Sequence, residues 1–499
     1  MAATFRAPFR SAGGSMPPFS TVASSTLRRA GAAARSRRAV AALAAAALAL
    51  APGASLAARR AKPKPAAPAA PAPLLTPAAL AVERHVLDNG LVVLLAPDRT
   101  VPAVTLWQWF KVGSRNERPG ITGISHVLEH MMFNGSANVP PKEYDRLLEA
   151  AGGASNAFTA RDMTAYHEDI ASDRLDVPLR LDADRMASLS LHPEQLASEI
   201  EVVKEERRAF TDNDVRGLLD EHLWATAFLA APYRWPIVGW MADLEAIRRE
   251  DCVEYFRTYY APNNCILVLV GDFAPAQALK DIRAAFGGIP RQAPPPPPPN
   301  GEPEQRGERR VEVHHPAETV TFMAGYRAPG ATHPDVPALD VLVRVLADGP
   351  SSRLHRALVM ERGLALEADA AFEPTVDPGL VQFTVTLAPG TPAAAGLAAF
   401  DSVLARLAAD GPDARELEKA RNLIEADFVK GLKTNNGRGL QLGLHEHVYG
   451  DWRAMFTNLE RVRAVTADDC RRVARAVFDA RRRTVATLVP AGDAAAAVR

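Results

Sequence analysis

Six consecutive prolines, Pro294 to Pro299, split this 499-residue chain into two blocks that echo each other. With Asn300-Gly301-Glu302-Pro303 the run predicts an extended, polyproline-like linker over 291–308. Val101-Pro102-Ala103-Val104-Thr105 on one side is answered by His315-Pro316-Ala317-Glu318-Thr319-Val320-Thr321 on the other. Phe133-Asn134-Gly135-Ser136 is answered by Ala347-Asp348-Gly349-Pro350-Ser351, and Asp251-Cys252 by Asp469-Cys470. A repeat this long predicts two domains of one fold, 81–290 and 309–499, rather than a solenoid.

Local patterning fills in the first block. Val86 to Leu95 predicts a hairpin around Asn89-Gly90, and Ala103 to Val112 alternates as a strand. A helix is expected from Thr122 or Gly123, and another over 141–151 that ends at Gly152-Gly153. Ser155 to Thr159 and Thr164 to Asp169 predict short strands, with helices dominating from 174 to 229. A helix over Cys252 to Tyr260, a buried strand over Cys265 to Asp272 and a last helix to Phe286 complete the block.

The chemistry sits in one block only. His126-Val127-Leu128-Glu129-His130 sets two histidines four residues apart, which on a helix brings the imidazoles to one side, about 40° apart. This is the inverted zinc-helix pattern, with two metal ligands and a glutamate placed to act as general base. In the register of the repeat, His126, Glu129 and His130 become Asp340, Val343 and Arg344, so the second block cannot bind zinc in this way.

A catalytic zinc needs a third protein ligand. The acidic helix around Glu199-Ile200-Glu201-Val202-Val203-Lys204-Glu205-Glu206 offers two adjacent carboxylates. Residues three and four apart share a helix face, so Glu206 groups with Val202, Val203, Ala209 and Phe210, while Glu205 groups with a more charged set. That predicts an inward Glu206 as third ligand, with Glu199 on nearly the same side as its supporting carboxylate.

Composition excludes other classes. Lys plus Arg equals Asp plus Glu at 58 each, giving no charge bias toward nucleic acid. Cys252, Cys265 and Cys470 form no disulfide framework. His314-His315 and His445-x-His447 have no evident third partner for a metal. Residues 1–82 lack Asp and Glu, and Arg35-Ser36-Arg37-Arg38 precedes an apolar run from Ala39 to Ala51 that is too short to span a bilayer. This predicts a signal peptide over 1–57, a Pro/Ala-rich tether over 58–80, export to a bacterial periplasm and no membrane span after cleavage. The alternative is a mitochondrial transit peptide and a matrix location.

From residue 83 to 490 the chain resembles the pitrilysin/insulinase class of inverted zinc metallopeptidases, which includes mitochondrial processing peptidase. His126-Val127-Leu128-Glu129-His130-Met131-Met132-Phe133-Asn134-Gly135 is similar to the class signature His-x-x-Glu-His-x-x-Phe-x-Gly. Glu199 and Glu206 match its Glu-x6-Glu, and Ser351-Ser352-Arg353-Leu354 with Glu361-Arg362-Gly363-Leu364 resembles a second-half signature. The resemblance implies two α+β domains, each a mixed sheet with helices packed on one face, forming a clamshell around unfolded peptides. It implies one Zn²⁺ per chain and a substrate strand laid along Ser155-Asn156-Ala157-Phe158-Thr159, with Asn156, Ala157 and Phe158 as substrate-binding residues. One departure stands out. The class holds the substrate carbonyl with an Arg and a Tyr from the second half, yet Gly363 to Phe383 contains neither, and Leu366 stands where the Tyr is common. Arg438 and Tyr449 are later candidates, and a homologous partner subunit without the zinc motif is the other source. The expected activity is zinc-dependent endopeptidase. The alternatives are a non-catalytic structural subunit of a peptidase complex and a zinc hydrolase of non-peptide substrates.

Overall fold

A computed structural model describes residues 76–299 and 301–491. The expected signal peptide and all but the end of the tether lie outside the described residues. The first sheet contains β1 (Glu83–Val86), β2 (Val92–Pro97), β3 (Ala103–Phe110), β4 (Ala154–Thr159), β5 (Thr164–Ala171) and β6 (Cys265–Gly271) in the order β1-β2-β6-β3-β5-β4. The second contains β7 (Arg309–His315), β8 (Thr321–Ala328), β9 (Ala365–Phe372), β10 (Gly379–Leu387) and β11 (Arg483–Pro490) in the order β7-β11-β8-β10-β9. The orders superpose once β1 is removed. In each sheet the last strand in sequence runs parallel to the first shared strand and antiparallel to the second. The duplication foreseen from sequence is a duplication of topology.

Strand patterning explains the layers. Along β3, Val104, Leu106 and Phe110 enter the core of the first half, beside Ile124, Val127, Leu128 and Met131 of the helix Ile124–Met131. The alternate residues Trp107 and Trp109 face the opposite way. β6 is buried along its whole length, as its unbroken apolar run requires.

That opposite face is covered by a helix of the other half. Helix Asn435–Tyr449 lies across β3 and β6, with Gly439 against Trp107 and Gly443 against Trp109. Reciprocally, helix Val215–Ala227 lies on the second sheet, and its Leu219, Leu223 and Trp224 share a core with Met323, Leu380, Ala486 and Leu488. The expected packing of helices on one face therefore needs an addition: each sheet borrows one helix for its second face. The two halves interlock through this exchange.

The proline linker is anchored as well as extended. Glu302 accepts hydrogen bonds from the backbone N–H groups of Leu229, Ala230 and Ala231 at 2.8–3.0 Å and pairs with Arg327 at 2.7 Å. Burial works against its charge, but the three N–H donors and Arg327 outweigh it and hold the carboxyl below its usual range. Among the described residues no helix is long and apolar enough to cross a membrane.

Candidate metal centre

The helix Ile124–Met131 begins at Gly123, whose φ of +90° falls where side chains are strained. A Cβ there would also sit 2.8 Å from Leu244 Cδ2 and 3.0 Å from Gly239 Cα. The free N–H groups of this first turn are taken up by buried Glu117, which accepts from Gly123 at 2.8 Å and Ser125 at 2.9 Å. Asp243 accepts from the Thr122 hydroxyl at 2.7 Å. The helix start is thus pinned by one carboxylate just upstream of it, Glu117, and one more than a hundred residues away, Asp243.

His126, Glu129 and His130 share the side of the helix turned away from the sheet core, and His126 and Glu129 are 8% and 6% exposed. Glu206 comes from the helix Pro193–Arg207. Its Oε2 lies 3.6 Å from Nε2 of His126 and 3.6 Å from Nε2 of His130. The three donor atoms all lie within 4.8 Å of one another. Glu206 Oε2 is buried with no hydrogen-bond partner, an unfavourable state for a carboxylate unless a cation sits beside it. The donor set, two imidazoles and one carboxylate, is one that suits zinc.

Two contacts orient the set. His130 Nδ1 is 3.0 Å from Glu199 Oε2, which leaves Nε2 turned toward Glu206. Arg207, next in chain to Glu206, makes a buried two-pronged pair with Glu221 at 2.6 and 3.0 Å and donates to the Gly239 carbonyl at 2.9 Å. Burial, helped by His130, brings His126 down to about 3. Burial opposes charge on His130 too, but Glu199 and Glu206 outweigh it and lift that ring to about 10. Burial pushes the Glu129 carboxyl up to about 7, in the range of a group that exchanges protons near neutrality.

Glu129 Oε2 accepts from the Thr159 hydroxyl at 2.5 Å. Thr159 ends β4, the open edge of the first sheet. Sequence reasoning missed this residue, although its place at the end of the expected edge strand was available as a signal. Of the three residues expected to bind substrate, Asn156 and Ala157 lie on that edge, and Asn156 Oδ1 accepts from the Ala157 N–H at 2.9 Å. Phe158 instead packs edge-on against Trp107 and Trp109, with ring centroids 6.2 and 5.7 Å apart. Its side chain is buried, so of Phe158 only the backbone is placed to meet a peptide on this strand.

The helix face expected to carry Glu206 inward is split rather than apolar throughout. Val203 is buried, but Val202 and Phe210 are 41% and 62% exposed. The helix buries Leu196, Val203 and Arg207, and Glu206 lies at the border of that face. Arg438 and Tyr449 serve elsewhere: Arg438 pairs with Asp98 and donates to the Leu432 carbonyl, and Tyr449 donates to the Ala331 carbonyl at 3.3 Å.

With this geometry in place, comparison with known proteins is decisive. The family model described as insulinase (peptidase family M16) matches residues 92–239, and that of the peptidase M16 inactive domain matches 246–424. A zinc protease, PqqE, of Helicobacter pylori is 32% identical over 71% of this chain and 81% of its own length. The chain belongs to peptidase family M16. An uncharacterized zinc protease, YmxG, of Bacillus subtilis is 26% identical over 80% of this chain and 96% of its own length. The crystal structure of a protease from Helicobacter pylori superposes with a TM-score of 0.79 at 30% identity, covering 82% of this chain and 99% of that one. The metal cluster lies in the half that matches the insulinase model, and the inactive-domain match begins seven residues beyond its end.

Proposed function

We propose that this M16 protein is a zinc-dependent endopeptidase acting on unfolded peptides, with His126, His130 and Glu206 as ligands of one Zn²⁺. The observation that carries the reading is the buried, unpartnered Oε2 of Glu206 facing Nε2 of both histidines. A zinc ion held there supplies a Lewis acid that polarises the scissile carbonyl and eases ionisation of the attacking water. Glu129 takes the proton from that water and returns it to the leaving amine. Thr159 holds Glu129 in place and ties it to β4. An extended peptide pairs with the open edge of β4 by backbone hydrogen bonds, with Asn156 Oδ1 yielding the Ala157 N–H to it.

The groups that hold the substrate carbonyl come from a homologous partner subunit, since Arg438 and Tyr449 are committed to contacts of their own. The basic, acid-free N-terminal stretch supports export to the periplasm. The test is metal analysis and peptide cleavage by wild type and Glu129→Gln, each with and without co-purified partner. The variant is expected to keep its zinc and lose about 10²- to 10⁴-fold in kcat. Full activity in the variant removes Glu129 from its role, and full activity of the lone chain removes the partner.

A further inference from the structure

Thr159, whose hydroxyl holds Glu129, is the last residue of β4, and the chain turns at once into β5. The Ala160 N–H bonds the Met163 carbonyl at 2.8 Å, which leaves Arg161 and Asp162 at the tip of this hairpin. Two-residue hairpin turns that close by themselves favour residues with positive φ. Neither Arg161 nor Asp162 has a positive φ. The tip therefore draws its shape from what packs on it.

Part of that packing is local. A Cβ on Gly113 would sit 2.7 Å from the Arg161 carbonyl oxygen, and the Ser114 and Arg115 N–H groups donate to the Ala160 and Arg161 carbonyls at 3.1 and 2.9 Å. The rest comes from the metal-free half. Oδ2 of buried Asp162 accepts from the Val376 N–H at 2.9 Å, and Oδ1 accepts from Arg115 at 3.0 Å and the Tyr233 hydroxyl at 2.6 Å. Val376 belongs to the loop 373–378 between β9 and β10. Arg115 reaches on to Asp377 at 2.9 Å, and the Tyr233 oxygen accepts from the Asp377 N–H at 3.2 Å. Arg161 lies 3.6 Å over the Trp224 ring and pairs with Asp220 at 3.4 Å, and Asp220 accepts from Gln382 of β10 at 2.6 Å. Both tip residues are thus fastened across the boundary between the halves. Asp162 stands three residues after the hydroxyl that holds the general base.

We propose that Asp162 is a positioning residue for the hydrolysis: it fastens the β4–β5 turn to the 373–378 loop of the metal-free half, and so fixes Thr159 and, through it, the carboxylate of Glu129. This rests on the peptidase reading above. A buried carboxylate that satisfies three donors cannot shift without stranding them, so the turn has one setting. The metal-free half then serves the chemistry without reaching the metal.

The test is a double-mutant cycle on zinc-loaded full-length protein with its co-purified partner, read as kcat and KM on a quenched fluorogenic peptide that the wild type cleaves. Asp162→Asn keeps the shape but sets an amide N–H₂ against one of the three donors. It is expected to lower kcat about 10-fold with KM within about two-fold, in the range that a small misplacement of a reacting group costs. Thr159→Val, which removes the hydroxyl, is expected to lower kcat by a similar factor. The double variant should fall no further than Thr159→Val alone. A general loss of folded protein would instead multiply the two effects. Zinc content at the wild-type level shows that the first half has folded. Val376→Pro removes the N–H from the other side of the joint and should reproduce Asp162→Asn, including its silence in the Thr159→Val background. An unchanged kcat in Asp162→Asn, losses that multiply in the double variant, or zinc lost from both Asp162→Asn and Val376→Pro each overturn the positioning role and leave the peptidase reading standing. A zinc-loaded wild type that cleaves no peptide overturns both.

Discussion

The helices Ile124–Met131 and Val336–Ala347 occupy equivalent places in two sheets of the same strand order, one packed toward β4 and the other toward β9. Both bury apolar residues against their sheet, and both carry ionisable groups in the register of the motif. They differ in how those groups are satisfied. In the first half, His126 and His130 converge on Glu206, with Glu199 and Thr159 as supports. In the second, Arg344 pairs with Asp348 at 2.6 Å and Asp427 at 3.0 Å, so charge is settled within the protein. Burial leaves Asp340 with its carboxyl pushed up to about 7. One copy points its donor atoms at a common centre, whereas the other pairs its arginine within the protein and keeps its aspartate neutral by burial. A fold can be duplicated while a site is not, because the site depends on a few side chains and the fold on the apolar pattern around them.

The sharpest way to break this comparison is to remove one ligand from the first half and, from the second, the acid that stands in the register of His126. Glu206→Gln should lose zinc on dialysis and drop peptide hydrolysis by more than about 10³-fold, since a neutral amide replaces a ligand and leaves two histidines to hold the ion. Asp340→Asn should leave zinc at one ion per chain and activity at the wild-type level. Metal analysis with the cleavage assay checks both. Zinc lost from Asp340→Asn, or retained at full occupancy in Glu206→Gln, would dissolve the distinction between the halves.

Much of the first half was legible because its signals are local. The spacing of His126 and His130, the alternation along β3 and the turn at Asn89-Gly90 each depend on neighbours in sequence. Glu206 was singled out by a face argument whose companions proved to be split, with Val203 buried and Val202 and Phe210 exposed. Apolar character marks a residue that avoids water, but whether it does so against a core or against a ligand depends on the third dimension. The π-helical turn over Arg208–Asp212 has no residue type that demands it. Asp243 reaches the start of the helix Ile124–Met131 from far along the chain, and periodicity is silent on such partners. The exchange of helices was hidden for the same reason. One cue was present: Gly439 and Gly443, four apart on one helix face, announce close approach to something large.

That close approach gives the second test, which compares the two borrowed helices. On the first sheet the contact is glycine against tryptophan: a Cβ on Gly439 would lie 2.6 Å from Trp107 Nε1, and one on Gly443 would clash with the Trp109 ring. On the second sheet the contact is looser, with a Cβ on Gly325 of β8 meeting Leu223 at 3.2 Å. Gly443→Ala should destabilise by about 1–3 kcal/mol through overpacking, visible as a fall of about 2–6 °C in Tm. Gly288→Ala, where a Cβ meets nothing within 4 Å, should stay within about 0.5 kcal/mol of wild type. Equal effects in the two variants would show that the tryptophan face yields to an added methyl group.

The smallest expected effect probes the charge left in the second half. An ordinary aspartate carboxyl titrates at 3.8, while burial holds Asp340 near 7. Below about pH 4 folded and unfolded chains both keep this proton, and the group is neutral to stability. Between about 4 and 7 the unfolded chain releases it and the folded chain does not, so wild type loses stability as pH rises. Above about 7 both forms are ionised and the loss is constant. Asp340→Asn removes that titration, so its stability relative to wild type should rise across the window and level off beyond it. The slope has a ceiling of about 1.4 kcal/mol per pH unit, and partial contact with solvent together with Arg344 one turn away reduce it. Urea unfolding of the two proteins side by side from pH 4 to pH 8 reads the difference, and other groups common to both cancel. A difference that stays flat with pH would mean that the second half satisfies Asp340 as fully as the first half would satisfy Glu206 with a metal bound.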